Sequence, residues 1–185
     1  MLPPAVLSWA VRRTRLPLLA LRCVACSHGH ATVGDGKFRV NANGKRLDVW
    51  LLVNCLACDR TGKLTVHDRV PVRALPPVLL AGYAADSPSL VADTLLDPQL
   101  ARRNRFALAW DGCWELDAPP VPADSPWPLR ITVAFADSVP VRPERLLAQG
   151  LGIGRKEIAA RVKTDIPLNR RTRRDFSFVL MGSAG

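Results

Sequence analysis

The first third of the chain carries the apolar and polar pattern of β-strands. Residues 5–22 mix Val, Leu and Trp with Arg at irregular spacing, and Pro17 argues against one continuous helix, so a strand leading toward Cys23 is predicted. Further along, Asn43-Gly44 stands between the β-rich runs KFRVNA and KRLDVWLLV, which is the strongest short-range signal for a hairpin. With a third strand predicted over residues 63–72, these runs indicate a small antiparallel sheet.

The middle and the end of the chain add helical signals. Ser87 and Asp97 each stand directly before a proline, as an N-cap stands before the first helical position, so short helices are predicted over residues 88–96 and 98–104. The runs FALAWDGCWELD and LRITVAFAD have strand character, and the proline-rich loop between them cannot lie inside a central strand. Apolar residues at helical spacing then predict two more helices, over residues 143–150 and 155–163. The run FSFVL predicts a last strand.

Four of the five cysteines form two identical pairs, Cys23-x2-Cys26 and Cys55-x2-Cys58. Each pair makes a tight turn whose two thiolates can face one metal, and the predicted hairpin doubles the chain back so that the pairs meet. This arrangement predicts a closed, structural zinc site. Two alternatives remain open at this point, namely four buried thiols without a metal and a dithiol redox centre.

The remaining candidate groups do not add up to an active site. His28 and His30 are expected to be exposed loop residues, and His67 lies in a strand without a nearby acid partner in sequence. Cys113 is expected to fill an apolar space between two tryptophans. Four thiolates leave no open metal position, and no nucleophile elbow, phosphate-binding loop or dinucleotide fingerprint is present. We therefore expect no enzymatic activity and no small-molecule substrate.

The run KFRVNANGKRLDVW, which is bracketed by the two cysteine pairs, resembles a bacterial family defined only as domain of unknown function 1062. The similarity extends over most of the chain. It implies a zinc-ribbon-like front half and argues against a known enzyme, and it implies no particular activity.

Charge concentrates near the C-terminus. The chain has a formal net charge of +10, and residues 141–175 hold ten Arg or Lys against four Asp or Glu, so that 10 − 4 = +6 of this charge lies there. A positive balance of this size favours a polyanionic partner such as nucleic acid. The alternative is that these charges are only solvated and bind no partner.

The order of residues in this segment resembles the RNA-binding domain first described in a small-subunit ribosomal protein and shared with pseudouridine synthases. The corresponding positions are Arg142, Pro143, Glu144, Arg145, Leu146, Leu147, Leu151, Gly152, Arg155, Ile166, Leu168 and Asn169, with Glu144 replacing an Asp of the family. Three positions depart from that pattern, namely Gly154, Asp165 and Arg170. Arg170 stands where the family has a glycine of a tight turn, so we expect the hairpin after Asn169 to be irregular.

The resemblance predicts one basic face that contacts RNA phosphates, with an asparagine shaping the adjoining turn. Its residues are Arg142, Arg145, Arg155, Lys156, Asn169, Arg171, Arg173 and Arg174. Two competing interpretations stay open. The segment LAQGLGIGRKEIAARV could instead be a DNA-binding helix-turn-helix, and the zinc-ribbon-like module could be a protein-interaction adaptor.

Taken together, these patterns predict an α+β protein in three parts. The parts are a zinc-ribbon-like antiparallel sheet in residues 1–75, a short connecting α/β region in residues 76–140, and a two-helix RNA-binding-like module in residues 141–185. Arg12-Arg13 and the LPLLAL run partly resemble an export signal, but the apolar run is short and is broken by a proline. No run of about 18 to 20 apolar residues is present, so we expect a cytoplasmic protein with no membrane partner.

Overall fold

A computed structural model describes residues 6–122 and 124–182. Two compact units are present: unit 1 comprises the described residues of Met1–Arg15 and Trp110–Gly185, and unit 2 is Leu16–Ala109. The three predicted parts, with boundaries at 75 and 140, do not coincide with these units. The α+β class is confirmed, because both sheets and helices are present.

Strands and helices follow one another in the order that the sequence pattern suggested, with some additions. The strands are β1 (Val6–Arg13), β2 (Leu18–Ala20), β3 (His30–Thr32), β4 (Phe38–Asn43), β5 (Arg46–Cys55), β6 (Thr61–Pro71), β7 (Ala107–Ala109), β8 (Trp114–Asp117), β9 (Leu129–Phe135), β10 (Val162–Lys163) and β11 (Phe176–Leu180). The helices are α1 (Pro77–Ala84), α2 (Pro88–Leu96), α3 (Pro98–Asn104), α4 (Pro143–Leu151) and α5 (Arg155–Arg161), and a single 3-10 turn spans Val72–Ala74.

The sheet of unit 1 explains why the predicted boundaries differ from the observed ones. Its strand order is β10-β11-β9-β1-β8, and β1 pairs in parallel with β9, from Val6 opposite Arg130 to Val11 opposite Phe135. A parallel pair needs a long connection between its strands, and here that connection contains the whole of unit 2. Hydrophobic periodicity reports only local structure, so it gives no sign that the first strand belongs with the end of the chain.

One face of this sheet packs against α4 and α5. Leu146, Leu147 and Ile158 are fully buried, as the helical spacing predicted, whereas Val162 begins β10 instead of continuing α5. Trp9 of β1 is 1% exposed and meets Phe178 of β11 edge to face. A Cβ atom added at Gly150 of α4 would overlap the Trp9 ring, so glycine allows the helix to approach the sheet this closely.

The sheet of unit 2 is antiparallel, with the order β4-β5-β3-β2-β7 and with β6 paired to β5. The predicted hairpin is confirmed as β4 and β5, in which Asn43 pairs with Arg46. The two connecting residues are Gly44 and Lys45, and Gly44 has a φ of 61°. Glycine at the first of two central positions fits a type II′ turn, one residue later than Asn43-Gly44 implied.

Three helices cover the core of unit 2. Helices α2 and α3 match their predicted ranges, and Asp97 caps α3 by accepting a hydrogen bond from the amide of Gln99 at 2.8 Å. Ser87 makes no such cap, because its hydroxyl bonds to the Ser89 hydroxyl instead. Helix α1 was not predicted. Among the described residues, no helix is long and apolar enough to cross a membrane.

Candidate metal centre and basic surface

The four paired cysteines meet at one point of unit 2, as predicted. The Sγ atoms of Cys23 and Cys58 lie 3.7 Å apart, those of Cys26 and Cys55 lie 3.5 Å apart, and all four lie within 4.8 Å of one another. A metal bound tetrahedrally at about 2.3 Å from each sulfur would hold the sulfurs about 3.8 Å apart. The sulfurs therefore already have nearly the spacing of a tetrahedral metal site, and none is in a disulfide. The set could hold one metal ion.

Two equivalent turns build this cluster. In each turn the amide two residues after the first cysteine donates to that cysteine's sulfur at 3.4 Å, from Ala25 to Cys23 and from Ala57 to Cys55. The backbone amide four residues after the first cysteine donates to its carbonyl at 3.0 Å in both turns. The fifth residue of each turn has a positive φ, 61° at Ser27 and 56° at Asp59.

This equivalence was visible in the sequence as the pair CVACSH and CLACDR, although only the cysteine spacing was used to predict the site. The first cysteine of each turn also donates its amide to the carbonyl of the sixth residue, His28 at 2.8 Å and Arg60 at 3.0 Å. Each turn is thus closed by the backbone at its base and directs two thiols to the same side. The alternative of four merely buried thiols does not fit, because Cys26 and Cys58 are exposed.

Backbone amides make some of these thiols acidic. The amides of Cys26 and Ala25 lower the pKa of Cys23 to about 6, and the amides of Ala57 and Cys58 lower the pKa of Cys55. At Cys26 the amide of His28 acts in the same direction, but the neighbouring thiols of Cys58 and Cys55 outweigh it and raise the pKa to about 12. A cation that binds to these thiolates displaces the protons that remain on the sulfurs.

The two histidines beside the first turn are not in the metal-ligating group. His28 and His30 are both exposed, and their ring centroids lie 6.0 Å apart. Among the described residues, only the four cysteines place ligand atoms close enough together to bind one ion. Cys113, in unit 1, is fully buried as predicted.

A second polar group in unit 2 was missed by the sequence argument. The Nε2 atom of His67 lies 2.9 Å from the hydroxyl oxygen of Tyr83, which comes from α1 and is buried. Burial, and to a smaller extent the charge of Arg103, lowers the pKa of His67. Both rings face a cavity of about 430 Å³ between β6 and the three helices, with Asp93 and Asp97 also on its wall. The partner of His67 is therefore a hydroxyl group, whereas the sequence argument considered only acids.

All the predicted RNA-binding side chains are exposed, and all lie in unit 1. The backbone brings several of them together. Val141 and Thr172 exchange two backbone hydrogen bonds of 3.0 and 2.9 Å. Arg142 follows Val141 in the chain, and Arg171 and Arg173 lie on either side of Thr172. The amide of Glu144 donates to the carbonyl of Leu168 at 3.1 Å, which ties the turn containing Asn169 to the start of α4.

Two of the predicted RNA-binding cations are held by acids of the same chain. Arg145 pairs with Asp111 at 2.9 Å and lies over the ring of Trp114, and Arg155 pairs with Glu144 at 2.6 Å. These arginines are 57% and 81% exposed, and exposed pairs of this kind contribute only about 0–1 kcal/mol. Glu144 is already subtracted in the net charge of +6, whereas Asp111 lies outside residues 141–175 and adds one negative charge that this count leaves out. Pairs this weak leave both arginines able to contact another anion.

The segment after α5 also differs from the family-like expectation. Helix α5 has seven residues and ends at Arg161, two residues before the predicted end. Strand β10 begins directly after it, and β10 pairs with β11, with residues 164–175 as the connection. No regular hairpin follows Asn169 in this described segment. That outcome agrees with the expectation of an irregular turn at the departures from the ribosomal pattern.

Comparison with protein families gives one match. The model of the family described as protein of unknown function (DUF1062) matches residues 40–171, which is more than two thirds of the chain. The matched range contains Cys55 and Cys58, whereas Cys23 and Cys26 precede it. Neither the curated proteins nor the solved structures include a match. The chain therefore belongs to the DUF1062 family of proteins of unknown function.

Proposed function

We propose that this protein binds one structural zinc ion through Cys23, Cys26, Cys55 and Cys58. The supporting observation is the near-tetrahedral spacing of four sulfurs that are carried on two matching turns. Thiolate-rich tetrahedral sets favour zinc over the hard cations, which prefer oxygen ligands. Ligation by four sulfurs also fills the shell, so we propose a structural and not a catalytic role.

We further propose that unit 1 binds RNA through its exposed basic surface. The supporting observation is the bridge between Val141 and Thr172, which gathers Arg142, Arg171 and Arg173 from distant parts of the chain. Arginines grouped in this way can contact successive phosphates, while the irregular segment that carries Arg171 and Arg173 offers a surface for structured or single-stranded RNA. In this proposal zinc maintains unit 2, and the cations of unit 1 carry the binding activity.

Charge reversal tests the RNA proposal with a matched control. The triple variant Arg142→Glu, Arg171→Glu and Arg173→Glu should weaken binding and flatten the dependence of log affinity on log salt, which is about −0.7 per phosphate contacted on single strands. The control variant reverses Arg39, Arg73 and Arg102 of unit 2, which are also exposed and change the net charge equally. Fluorescence anisotropy with labelled RNA at several salt concentrations measures both.

Equal loss in the two triple variants would mean that only net charge matters, and the basic surface would not be a specific site. Absence of RNA affinity in the unmodified protein at low salt would refute the RNA proposal. A DNA-binding role through α4 and α5 would instead give tighter binding to duplex DNA than to RNA in the same assay.

A second candidate is a protein-interaction adaptor, which is favoured by two exposed apolar side chains on the cysteine turns. Val24 and Leu56 occupy equivalent positions, directly after the first cysteine of each turn, and are 88% and 49% exposed. Apolar side chains presented on a rigid surface are common in protein interfaces. Replacing both with Ser would abolish partner capture in an adaptor but would leave RNA affinity unchanged if unit 1 carries the function.

A further inference from the structure

An exposed tryptophan marks a cavity in unit 1 that the proposed phosphate contacts do not use. Trp127 is 46% exposed, and among the exposed large apolar side chains of residues 6–122 and 124–182 it is the one aromatic ring. A tryptophan left this accessible forgoes much of the stabilisation that burial would give it. Its position is therefore more informative than that of a scattered surface valine.

The cavity beside Trp127 has a volume of about 380 Å³, within the range of pockets that take small molecules. One wall comes from the proline-rich loop, with Pro120, Val121 and Pro122. The opposite wall comes from the end of α4 and the turn after it, with Leu151 and Ile153. The side chains of these two walls are apolar.

The polar group at this cavity is Arg161 of α5. Its guanidinium is already held in place, because Nη1 donates to the carboxylate of Glu157 at 2.9 Å and Nε donates to the carbonyl of Met181 at 3.3 Å. An arginine fixed in this way presents a planar surface and leaves a further donor for a polar edge. The cavity therefore suits a flat, aromatic group with hydrogen-bond acceptors on its edge.

Local backbone restraints keep the cavity formed. Proline fixes φ near −65°, so Pro120 and Pro122 limit the conformations of the wall that they build. A Cβ atom added at Gly182 would lie 3.3 Å from the Trp127 ring, so the backbone there already packs against the indole. A preformed pocket binds with a smaller loss of conformational entropy than a flexible one.

Two of the proposed phosphate-binding residues closely follow a residue of the cavity wall in the sequence. Ile153 lines the cavity, and Arg155 and Lys156 follow after one glycine, both exposed. A nucleotide whose base entered the cavity would bring its phosphates toward these cations. Phosphate contacts orient a strand, whereas an unstacked base supplies recognition.

We propose that this cavity binds one unstacked nucleobase of single-stranded RNA by stacking on Trp127, with Arg161 at the edge of the base. The proposal rests on the RNA-binding function proposed above and identifies which form of RNA it takes. Stacking on an aromatic side chain contributes about 1–3 kcal/mol per base, and it is tolerant of base identity. Single strands and loops should therefore bind more tightly than a continuous duplex.

The test compares Trp127→Ala with Trp127→Phe and with the control Ser125→Ala, which changes the same loop without touching the cavity. Trp127→Ala should weaken binding of a single-stranded RNA by about 5- to 150-fold, while Trp127→Phe keeps most of the affinity. The slope of log affinity against log salt should not change, because no phosphate contact is removed. Affinity for duplex RNA should not change either, because its bases stay paired. Thermal unfolding of each variant checks the fold.

Equal affinity of wild type and Trp127→Ala for single-stranded RNA would overturn this inference while leaving the basic surface as the RNA site. An equal loss for single strands and duplex would also overturn it, because the effect would then not concern unpaired bases. Titration of adenosine and uridine monophosphates, followed by the indole N–H signal of Trp127 in NMR spectra, separates the two proposals. A nucleotide-induced shift without RNA affinity would support the base site and refute RNA binding, and no shift together with no RNA affinity would refute both.

Discussion

The cysteine turns of unit 2 and the basic surface of unit 1 show two ways of concentrating charge. In unit 2, four thiols converge from two short turns whose backbone hydrogen bonds repeat one another, so the geometry of each turn is fixed locally. In unit 1, the cations come from α4, α5 and a loop, and the bridge between Val141 and Thr172 brings Arg142 close to Arg171 and Arg173. A site made from local turns has little freedom to be arranged otherwise, whereas a basic surface depends on tertiary structure and on neighbouring acids.

The largest expected effect is the loss of one cysteine ligand. Cys55→Ser should lower zinc affinity by more than the roughly 10- to 100-fold that removal of an outer-shell partner typically costs. Because metal binding and folding are coupled, amide protection should fall around β2, β3 and the two turns, but not in unit 1. Metal analysis and hydrogen exchange measure the two parts.

The double variant His28→Ala and His30→Ala is the control, because it changes exposed neighbours that do not converge with the sulfurs. It should keep one zinc per chain. Loss of zinc in this control, or retention of zinc with unchanged protection in Cys55→Ser, would contradict the all-cysteine site.

A mutation in unit 1 tests whether its fold is independent of the cysteine turns. Gly150→Ala forces a Cβ atom into the Trp9 ring, and overpacking of this kind costs about 1–3 kcal/mol, against about 1 kcal/mol regained in helix propensity. We expect the free energy of unfolding of unit 1 to fall by up to about 2 kcal/mol with zinc content unchanged. The neighbouring exposed Gln149→Ala should stay within about 0.5 kcal/mol of wild type in denaturant titrations.

The ion pairs of the basic surface give a smaller effect of opposite sign. Glu144→Gln releases Arg155 from its acid partner and removes one negative charge, so RNA affinity should rise by up to about fivefold. Glu115→Gln, which removes an exposed acid without an ion pair among the described residues, serves as the control. A larger gain in the control than in Glu144→Gln would show that the pair does not restrain Arg155.

The smallest effect concerns His67 and pH. Its pKa is lowered in the folded state, so the unfolded chain binds a proton more readily, and stability falls as the pH drops through about 6.5, the ordinary histidine value. Because protonation of the cysteines acts in the same direction, the informative quantity is the difference between wild type and His67→Gln. Between pH 7.5 and pH 5.5 the melting temperature should fall less in His67→Gln, and an equal fall in both would contradict this role.

Local signals predicted most helices and the longer strands, but they missed β3, placed β10 in a helix, and joined β1 to β2 and β7 to β8. The hairpin of β4 and β5 depends on residues next to one another, and α2 and α3 begin at the expected prolines. Helix α1 was not predicted because its sequence PVLLAGYA is apolar on nearly every side and has no periodicity. The partner of His67 was missed for the same reason, since Tyr83 comes from that helix.

Features that join distant parts of the chain lay beyond the sequence pattern. The parallel pairing of β1 with β9, which defines unit 1, leaves no local trace in Val6–Arg13. The pair between Arg145 and Asp111 likewise joins residues whose proximity follows only from the fold. The cysteine cluster was predicted because a repeated local spacing has few geometric solutions. The distribution of charge over unit 1 was not predicted, because a count of charged residues does not depend on where each arginine lies.

X-ray absorption at the zinc edge, on the protein purified without added metal, tests the central claim most directly. The account predicts one zinc per chain with four sulfur neighbours at about 2.3 Å and no nitrogen or oxygen in the first shell. A first shell that contains nitrogen or oxygen would contradict the all-cysteine site. A protein that carries no zinc and binds none when it is reduced would refute the proposed metal altogether.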